Sequence, residues 1–418
     1  MSNSKTALLL VIDAVGLDTL DYLLSKHPGP LNIPNLAALG LGEIVSPEHK
    51  AQIGAKTDAD SFAARVEQAS ASADSVVGHR EMMGVVDNRT FSLFPDGFPE
   101  NYIRALELLV GRKTIFNKMA GGMEAIELNA LEHETTGHPI VYASKCDPLI
   151  QIAMSEAVIP VREQHSIADA AFALAKEMGI PVTRAIARAY RRGPGGEIIR
   201  TANRHDAVLP LQGKTLPDIL AVRGVWACAV GKTAELVNAG WHERVKLADK
   251  AFVSPQFVRG FIHPQGKDTN PLSAQGTYNA VAASKTVYRP NGTFIFSNFV
   301  DTDSLYGHTR DAEGALRCLE AADAMLGEIM RSLARGDLLI ITADHGMAHR
   351  ADYGYHNREP LPLLAKVSGG PAPKPANMKT LASAGLLVAE FFNCGKEFSA
   401  ILKADAAARQ TISGGNSL

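Results

Sequence analysis

Residues 293–333 read TFIFSNFVDTDSLYGHTRDAEGALRCLEAADAMLGEIMRSL, and Leu338–Thr342 (LLIIT) follow shortly after. Thr293–Val300 is largely apolar and lacks the strict alternation of a half-solvated strand, which predicts a strand buried on both faces. Leu316, Leu319, Ala322, Leu326, Ile329 and Leu333 then recur at helical spacing with charges on the opposite face. Strand, helix and strand in succession form a crossover unit, and such units build parallel α/β sheets. Working outward, Ala7–Ile12 is a further doubly buried strand. Thr215–Val230 repeats the pattern, with a helix around Pro217–Ala221 and a strand over Val225–Val230.

The chain of 418 residues is 46% hydrophobic and 21% charged, enough apolar material for a large core in roughly two to three domains. Lys plus Arg number 42 against 44 Asp plus Glu, a formal charge of -2, so no general field gathers nucleic acid or an anionic membrane. Anion binding must be local. Ala7–Ile12 is far shorter than the roughly 20 residues of a bilayer span and ends in Asp13 rather than in a small-residue cleavage site. Cys146, Cys228, Cys318 and Cys394 are scattered without CxxC spacing, which argues against a disulfide framework or a thiolate zinc site and suits a reducing cytoplasm.

Between about Phe98 and Gly213 the texture changes, with a helix near Ile167–Glu177 and an Arg-rich turn region from Arg184 to Arg204. This predicts an inserted domain. The Ala-rich, Gly/Ser-ending tail after Ala400 reads as a surface helix with a frayed end.

Ligands of open α/β sheets sit beyond the carboxyl ends of the strands, so polar residues just after buried strands converge although distant in sequence. Asp13, Asp303 and Asp344 occupy such places. His308 follows Asp303, His345 follows Asp344, and His356 lies a short loop later. A single Asp after a strand is more often a cap or turn residue, and a lone His is more often structural. Three acidic strand ends with three nearby imidazoles suit two divalent cations such as Mn²⁺ or Zn²⁺ better than Ca²⁺, which prefers oxygen alone.

In SADSVVGHREMMG, Ser75 precedes small residues and Gly78, with His79 beyond. A hydroxyl there either caps a helix or is presented to a site, where the helix N-terminus favours a phosphate. The pattern alone leaves both readings open. Coordination to a cation would lower the serine pKa enough to make an alkoxide nucleophile accessible.

Taken together, VIDAVG, DSVVGH, FVDTDSLYGHTRD, ITADHG and HNREPLPLL resemble the phosphopentomutases, a family of alkaline-phosphatase-like metalloenzymes. The resemblance covers most of the chain, including IVYASKCDPLIQIA and RAIARAYRRGPGGEIIRTANRHD, which look like that family's cap, and AVGKTAEL, which looks like the return into the core. It implies an alkaline-phosphatase-like α/β core, with a mostly parallel sheet flanked by helices, over residues 1–96 and 214–418. An α+β cap would be inserted over 97–213, with hinges near Gly97 and Gly213.

The resemblance further implies one cation held by Asp303, His308 and His356, and another by Asp13, Asp344, His345 and the Ser75 oxygen. Mn²⁺ is implied first, with Zn²⁺ or Mg²⁺ as alternatives. Ser75 falls where the family carries its phosphorylated threonine, and Asp147, Arg184, Arg200 and Lys232 fall where the pentose phosphate is held. For the arginines the competing reading is a solvated or ion-paired surface. The implied reaction moves a phosphoryl group between O1 and O5 of ribose or deoxyribose through phospho-Ser75, primed by a bisphosphorylated sugar.

The chain departs from the family beside the nucleophile, with Ser72-Ala73 for Gly-Lys, Val77 for a second threonine and Arg80 for a tryptophan, and it has one extra residue before Asp147. These changes bear on substrate and rate. A phosphoglycerate mutase or another sugar-phosphate mutase, a phosphatase or phosphodiesterase of the same superfamily, and a catalytically weak sugar-phosphate sensor are the alternatives. The complete set of ligand positions speaks against the sensor.

Overall fold

The computed structural model describes residues 4–54, 57–201, 203–247, 250–349, 355–373 and 378–413, with side chains up to residue 404. The chain divides into two compact units: residues up to Asn88 together with those from Leu211 onward, and Arg89–Pro210.

The first unit is built on a seven-stranded sheet. Its strands run in the order Glu243–Val245, Trp226–Val230, Thr293–Phe299, Thr6–Ile12, Leu338–Thr342, Leu361–Val367 and Ser61–Val66. The first five are mutually parallel, and the last two pair antiparallel. Thr6–Ile12 explains its continuous apolar run: Leu8, Leu10 and Ile12 enter one core while Ala7, Leu9 and Val11 enter another. Helices cover both faces, so the period-2 alternation of the pleat divides residues between two cores rather than between core and water. Helix Ala312–Ser332 packs Leu316, Leu319, Ala322, Leu326 and Ile329 into the first core. Helix Ala382–Phe391 packs Ala384, Leu387 and Val388 into the second.

The second unit has a sheet of Ile115–Ala120, Ile140–Ser144, Leu149–Ser155, Arg184–Arg192 and Ile198–Arg200, with His205–Val208 also paired to Arg184–Arg192. Helices Glu100–Val110 and Val161–Glu177 share one core with Val141, Ile150 and Ile152. Helix Gly122–Thr136 shares another with Ile140, Tyr142 and Ala153.

Two local expectations change. The Arg-rich stretch is not a turn region: Arg184–Arg192 is a nine-residue strand whose first four residues are buried. Its RAIARAY sequence alternates across the pleat, and the long arginine side chains hide that period in a hydropathy reading. Gly97, read as a hinge, lies inside the second unit, where its φ is +87° and a β-carbon would meet the Asn117 carbonyl oxygen at 2.1 Å. Asn117 brackets the next residue, accepting from Phe98 N and donating to Phe98 O, both at 2.9 Å. The helix after Ala400 belongs to Gly395–Ser413, and its frayed end lies outside the described residues.

All four cysteines are free and buried. Among the described residues no helix is long and apolar enough to cross a membrane.

Candidate active site

The register of the first sheet brings the acidic residues together. Ile12 lies opposite Phe299 and Val11 opposite Thr342, so Asp13, Asp303 and Asp344 leave three adjacent parallel strands at one edge. Asp13 N donates to Phe299 O at 2.9 Å, which extends the ladder by one bond and fixes the carboxylate beyond it. A wide helical turn, Thr302–Gly307, follows Thr293–Phe299, and His308 N donates to Asp303 O at 3.1 Å. Such a turn sets residues five apart on one side. His308 Nε2 accordingly stands 3.5 Å from Asp303 Oδ1. His356 sits on strand Tyr355–Asn357 opposite Met347, and its Nε2 lies 3.2 Å from the same Asp303 oxygen.

Two groups have ligand atoms lying within 4.8 Å of one another in the first unit: Asp13, Asp344 and His345, and Asp303, His345 and His356. His345 belongs to both, whereas the family pattern assigns it to one cation only. The imidazoles form a stack, with His345 and His356 centroids 3.8 Å apart and His356 and His308 5.1 Å apart.

The donor set fits divalent cations. Asp13 Oδ1 and Asp344 Oδ2 are buried without a well-aligned hydrogen-bond partner, although His79 Nδ1 stands 3.2 Å from the latter. His345 Nε2 lies 3.5 Å from each of them. Its Nδ1 is 3.0 Å from Gly346 O, which assigns the proton to Nδ1 and leaves the Nε2 lone pair facing the carboxylates. Acceptors face acceptors in a buried space, and a bound cation resolves that conflict.

The electrostatics follow from this crowding. Burial raises the Asp13 pKa, the neighbouring Asp344 raises it further, and Lys232 only partly offsets them. Burial pushes Asp344 up, but His345 and His79, when they carry a positive charge, draw it below the usual carboxylate range. Asp303 is likewise held low, as His308 and His356 outweigh burial. Lys232 is raised, since Asp13, Asp344 and Asp303 outweigh the burial that opposes its charge.

Ser75 is the first residue of helix Ser75–Met82, capped by Asp74, whose Oδ1 accepts from Val76 N at 2.7 Å. The capping role thus belongs to Asp74, and the Ser75 hydroxyl is left to the site. Ser75 Oγ lies 3.3 Å from His345 Nε2 and 3.5 Å from Lys232 Nζ. Lys232, expected at the sugar phosphate, also reaches Asp13 Oδ2 at 2.5 Å. In the second unit, Asp147 Oδ1 lies 3.8 Å from Arg184 Nη2. Arg184 is buried, and its Nε has no hydrogen-bond partner. Arg200, exposed at the end of its strand, crosses the start of helix Gly122–Thr136, with Nη2 only 2.1 Å from where a Gly122 β-carbon would stand.

Several supporting residues escaped the sequence reading. Asn298 donates to Asp13 Oδ2 at 2.8 Å, Thr302 Oγ1 to Asp13 O at 2.6 Å, and Gln68 Nε2 to Asp344 O at 2.8 Å. Asn298 carried a signal, being a polar residue in a doubly buried strand that requires a partner. Gln68 carried none.

The metalloenzyme superfamily model matches residues 5–394. A phosphopentomutase of Pseudothermotoga lettingae is 33% identical, over 94% of this chain and 98% of its own length. One from Carboxydothermus hydrogenoformans is 35% identical, over 86% and 88%. One from Thermotoga petrophila is 33% identical, over 92% and 95%. Joined to a buried carboxylate–imidazole centre beside a helix-borne serine, these similarities place the chain in the phosphopentomutase family of the metalloenzyme superfamily.

Proposed function

We propose that the chain is a phosphopentomutase that interconverts the 1- and 5-phosphates of ribose or deoxyribose through phospho-Ser75 and a pentose 1,5-bisphosphate. The observation that carries this reading is the Ser75 hydroxyl at a helix N-terminus, 3.3 Å from His345 Nε2 and 3.5 Å from Lys232 Nζ. Asp13, Asp344 and His345 would hold one divalent cation, and Asp303, His308 and His356 the other, Mn²⁺ before Zn²⁺ or Mg²⁺. Such ions, when bound, supply Lewis acidity that eases loss of the serine proton and neutralises phosphoryl oxygens.

The protein's own groups do the remaining work. Helix Ser75–Met82 directs free backbone N–H groups and its positive end at a phosphoryl group on Oγ. Lys232 adds a fixed positive charge at the same oxygen. His345 keeps its Nε2 lone pair toward Ser75 by donating from Nδ1 to Gly346 O. Asp147, Arg184 and Arg200 are assigned to the sugar and its non-transferring phosphate, which guanidinium groups recognise bidentately. A catalytic amount of bisphosphorylated sugar would prime Ser75. Four free, buried thiols accord with a cytoplasmic setting.

The test is turnover of ribose 1-phosphate with Mn²⁺ and a catalytic amount of glucose 1,6-bisphosphate, following ribose 5-phosphate and free phosphate together. Ribose 5-phosphate without free phosphate is expected. Free phosphate alone makes the enzyme a hydrolase, and neither product rejects pentose phosphates as substrates.

A further inference from the structure

Two short helices carry groups at Ser75 Oγ, and one buried guanidinium joins them at the end remote from the chemistry. Helix Ser75–Met82 has Ser75 at its start and Arg80 in its last turn. Helix Thr233–Leu236 starts directly after Lys232, whose Nζ reaches Asp13 and Ser75. At its far end Arg80 Nε donates to Leu236 O at 2.9 Å, with the Arg80 residue only 4% exposed. Leu236 O belongs to a last turn, where carbonyls lack an intrahelical donor, so the guanidinium meets an acceptor that burial would otherwise penalise. Thr233 Oγ1 ties the same turn to the sheet through Val230 O and Phe296 O, at 3.0 and 3.1 Å, but not to the Ser75 helix.

We propose that Arg80 is a positioning residue: by holding Leu236 it fixes the Thr233–Leu236 turn against the Ser75 helix and so sets the separation of Lys232 Nζ from Ser75 Oγ. The inference rests on the reading of Ser75 as nucleophile. A lysine side chain has a long flexible stem, so its placement depends on the backbone that carries it. A misplacement of about 1 Å at a reacting centre costs on the order of 10²-fold in rate.

The experiment is a double-mutant cycle on the full Mn²⁺-loaded chain with Arg80→Met, Arg80→Lys, Lys232→Ala and the Arg80→Met/Lys232→Ala pair. Turnover of ribose 1-phosphate and of a simple aryl phosphate is measured, with melting followed by circular dichroism. If Arg80 acts through Lys232, Arg80→Met lowers kcat/KM by about 10²-fold, Arg80→Lys recovers most of it, and the Arg80→Met penalty vanishes once Lys232 is alanine. Should Arg80→Met not fold, Arg80→Gln takes its place in the cycle. No penalty, or the same penalty with Lys232 absent, overturns the proposal while leaving the functional reading intact. Turnover of neither substrate by the unsubstituted chain overturns the functional reading, and this inference with it.

Discussion

Gly78 lies so close to the backbone of Asp344 that a β-carbon on it would stand 2.2 Å from the Asp344 carbonyl oxygen. The contact seats the Ser75 helix directly on the loop that supplies Asp344 and His345. A larger residue cannot be accommodated by rotating a side chain, because the obstacle is main chain. Gly78→Ala is therefore expected to cost about 1–3 kcal/mol through overpacking. It should lower turnover more than its melting temperature suggests, since the helix moves away from Asp344. Paired calorimetry and kinetics check this; unchanged values for both would mean that the helix is free to shift.

Ser75→Ala removes the hydroxyl and leaves the Asp74 cap in place. Stability should stay within about 0.5 kcal/mol while turnover falls at least about 10³-fold. Near-normal turnover would remove Ser75 from the chemistry.

Adding Mn²⁺ to the chelated protein should raise its melting temperature, because the buried Asp13, Asp344 and Asp303 carboxylates gain a counter-charge only in the native state. At one hundred times the dissociation constant the gain is about 2.7 kcal/mol. His308→Ala should bind one ion fewer of two per chain by elemental analysis. Two ions retained in the variant would displace His308 from the ligand set.

Arg200→Ala should raise KM for ribose 1-phosphate roughly 10- to 100-fold, the worth of one charged hydrogen bond of about 1.5–3 kcal/mol. Folding should be unaffected, since Arg200 is exposed. An unchanged KM would return Arg200 to an ordinary surface role.

His349 provides a pH test away from the chemistry. It is buried against Tyr22, with ring centroids 5.6 Å apart, and burial, aided by the positive charge of Arg310, pushes its pKa down to about 4. The unfolded chain binds this proton near pH 6.5, so the native state loses stability as pH falls from about 6.5 toward 4, and the contribution is fully present above that window. Its size is at most about 3 kcal/mol at about 1.4 kcal/mol per pKa unit. His349→Gln should flatten that part of the stability curve between pH 7 and 5 in denaturant titrations; an unaltered slope would exclude His349 as its source.

The central strands were legible because burial on both faces leaves continuous apolar runs at Ala7–Ile12 and Leu338–Thr342, and the polar residue that ends such a run stands out. The two antiparallel strands of the first sheet were not. Ser61–Val66 carries half-buried residues and the exposed Arg65 before Val66, and Leu361–Val367 follows a proline and contains another, so neither offers a clean period. At the site, residues of the right chemistry after strands could be found in advance. The sharing of His345 between two ligand groups could not, because it depends on the tilt of one imidazole. Arg80 likewise read only as a departure until Leu236 O gave it a partner.

The order of strands in the first sheet also governs how the molecule is made. Thr6–Ile12 lies between Thr293–Phe299 and Leu338–Thr342, which are made long after it. Its backbone finds neither neighbour until those strands have been synthesised, whereas Arg89–Pro210 contains every strand of its own sheet. The nascent polypeptide therefore completes its second unit before the first and carries the apolar, unpaired Thr6–Ile12 segment until Thr293–Phe299 emerges. That segment is the natural point for chaperone engagement, and for aggregation when synthesis stalls.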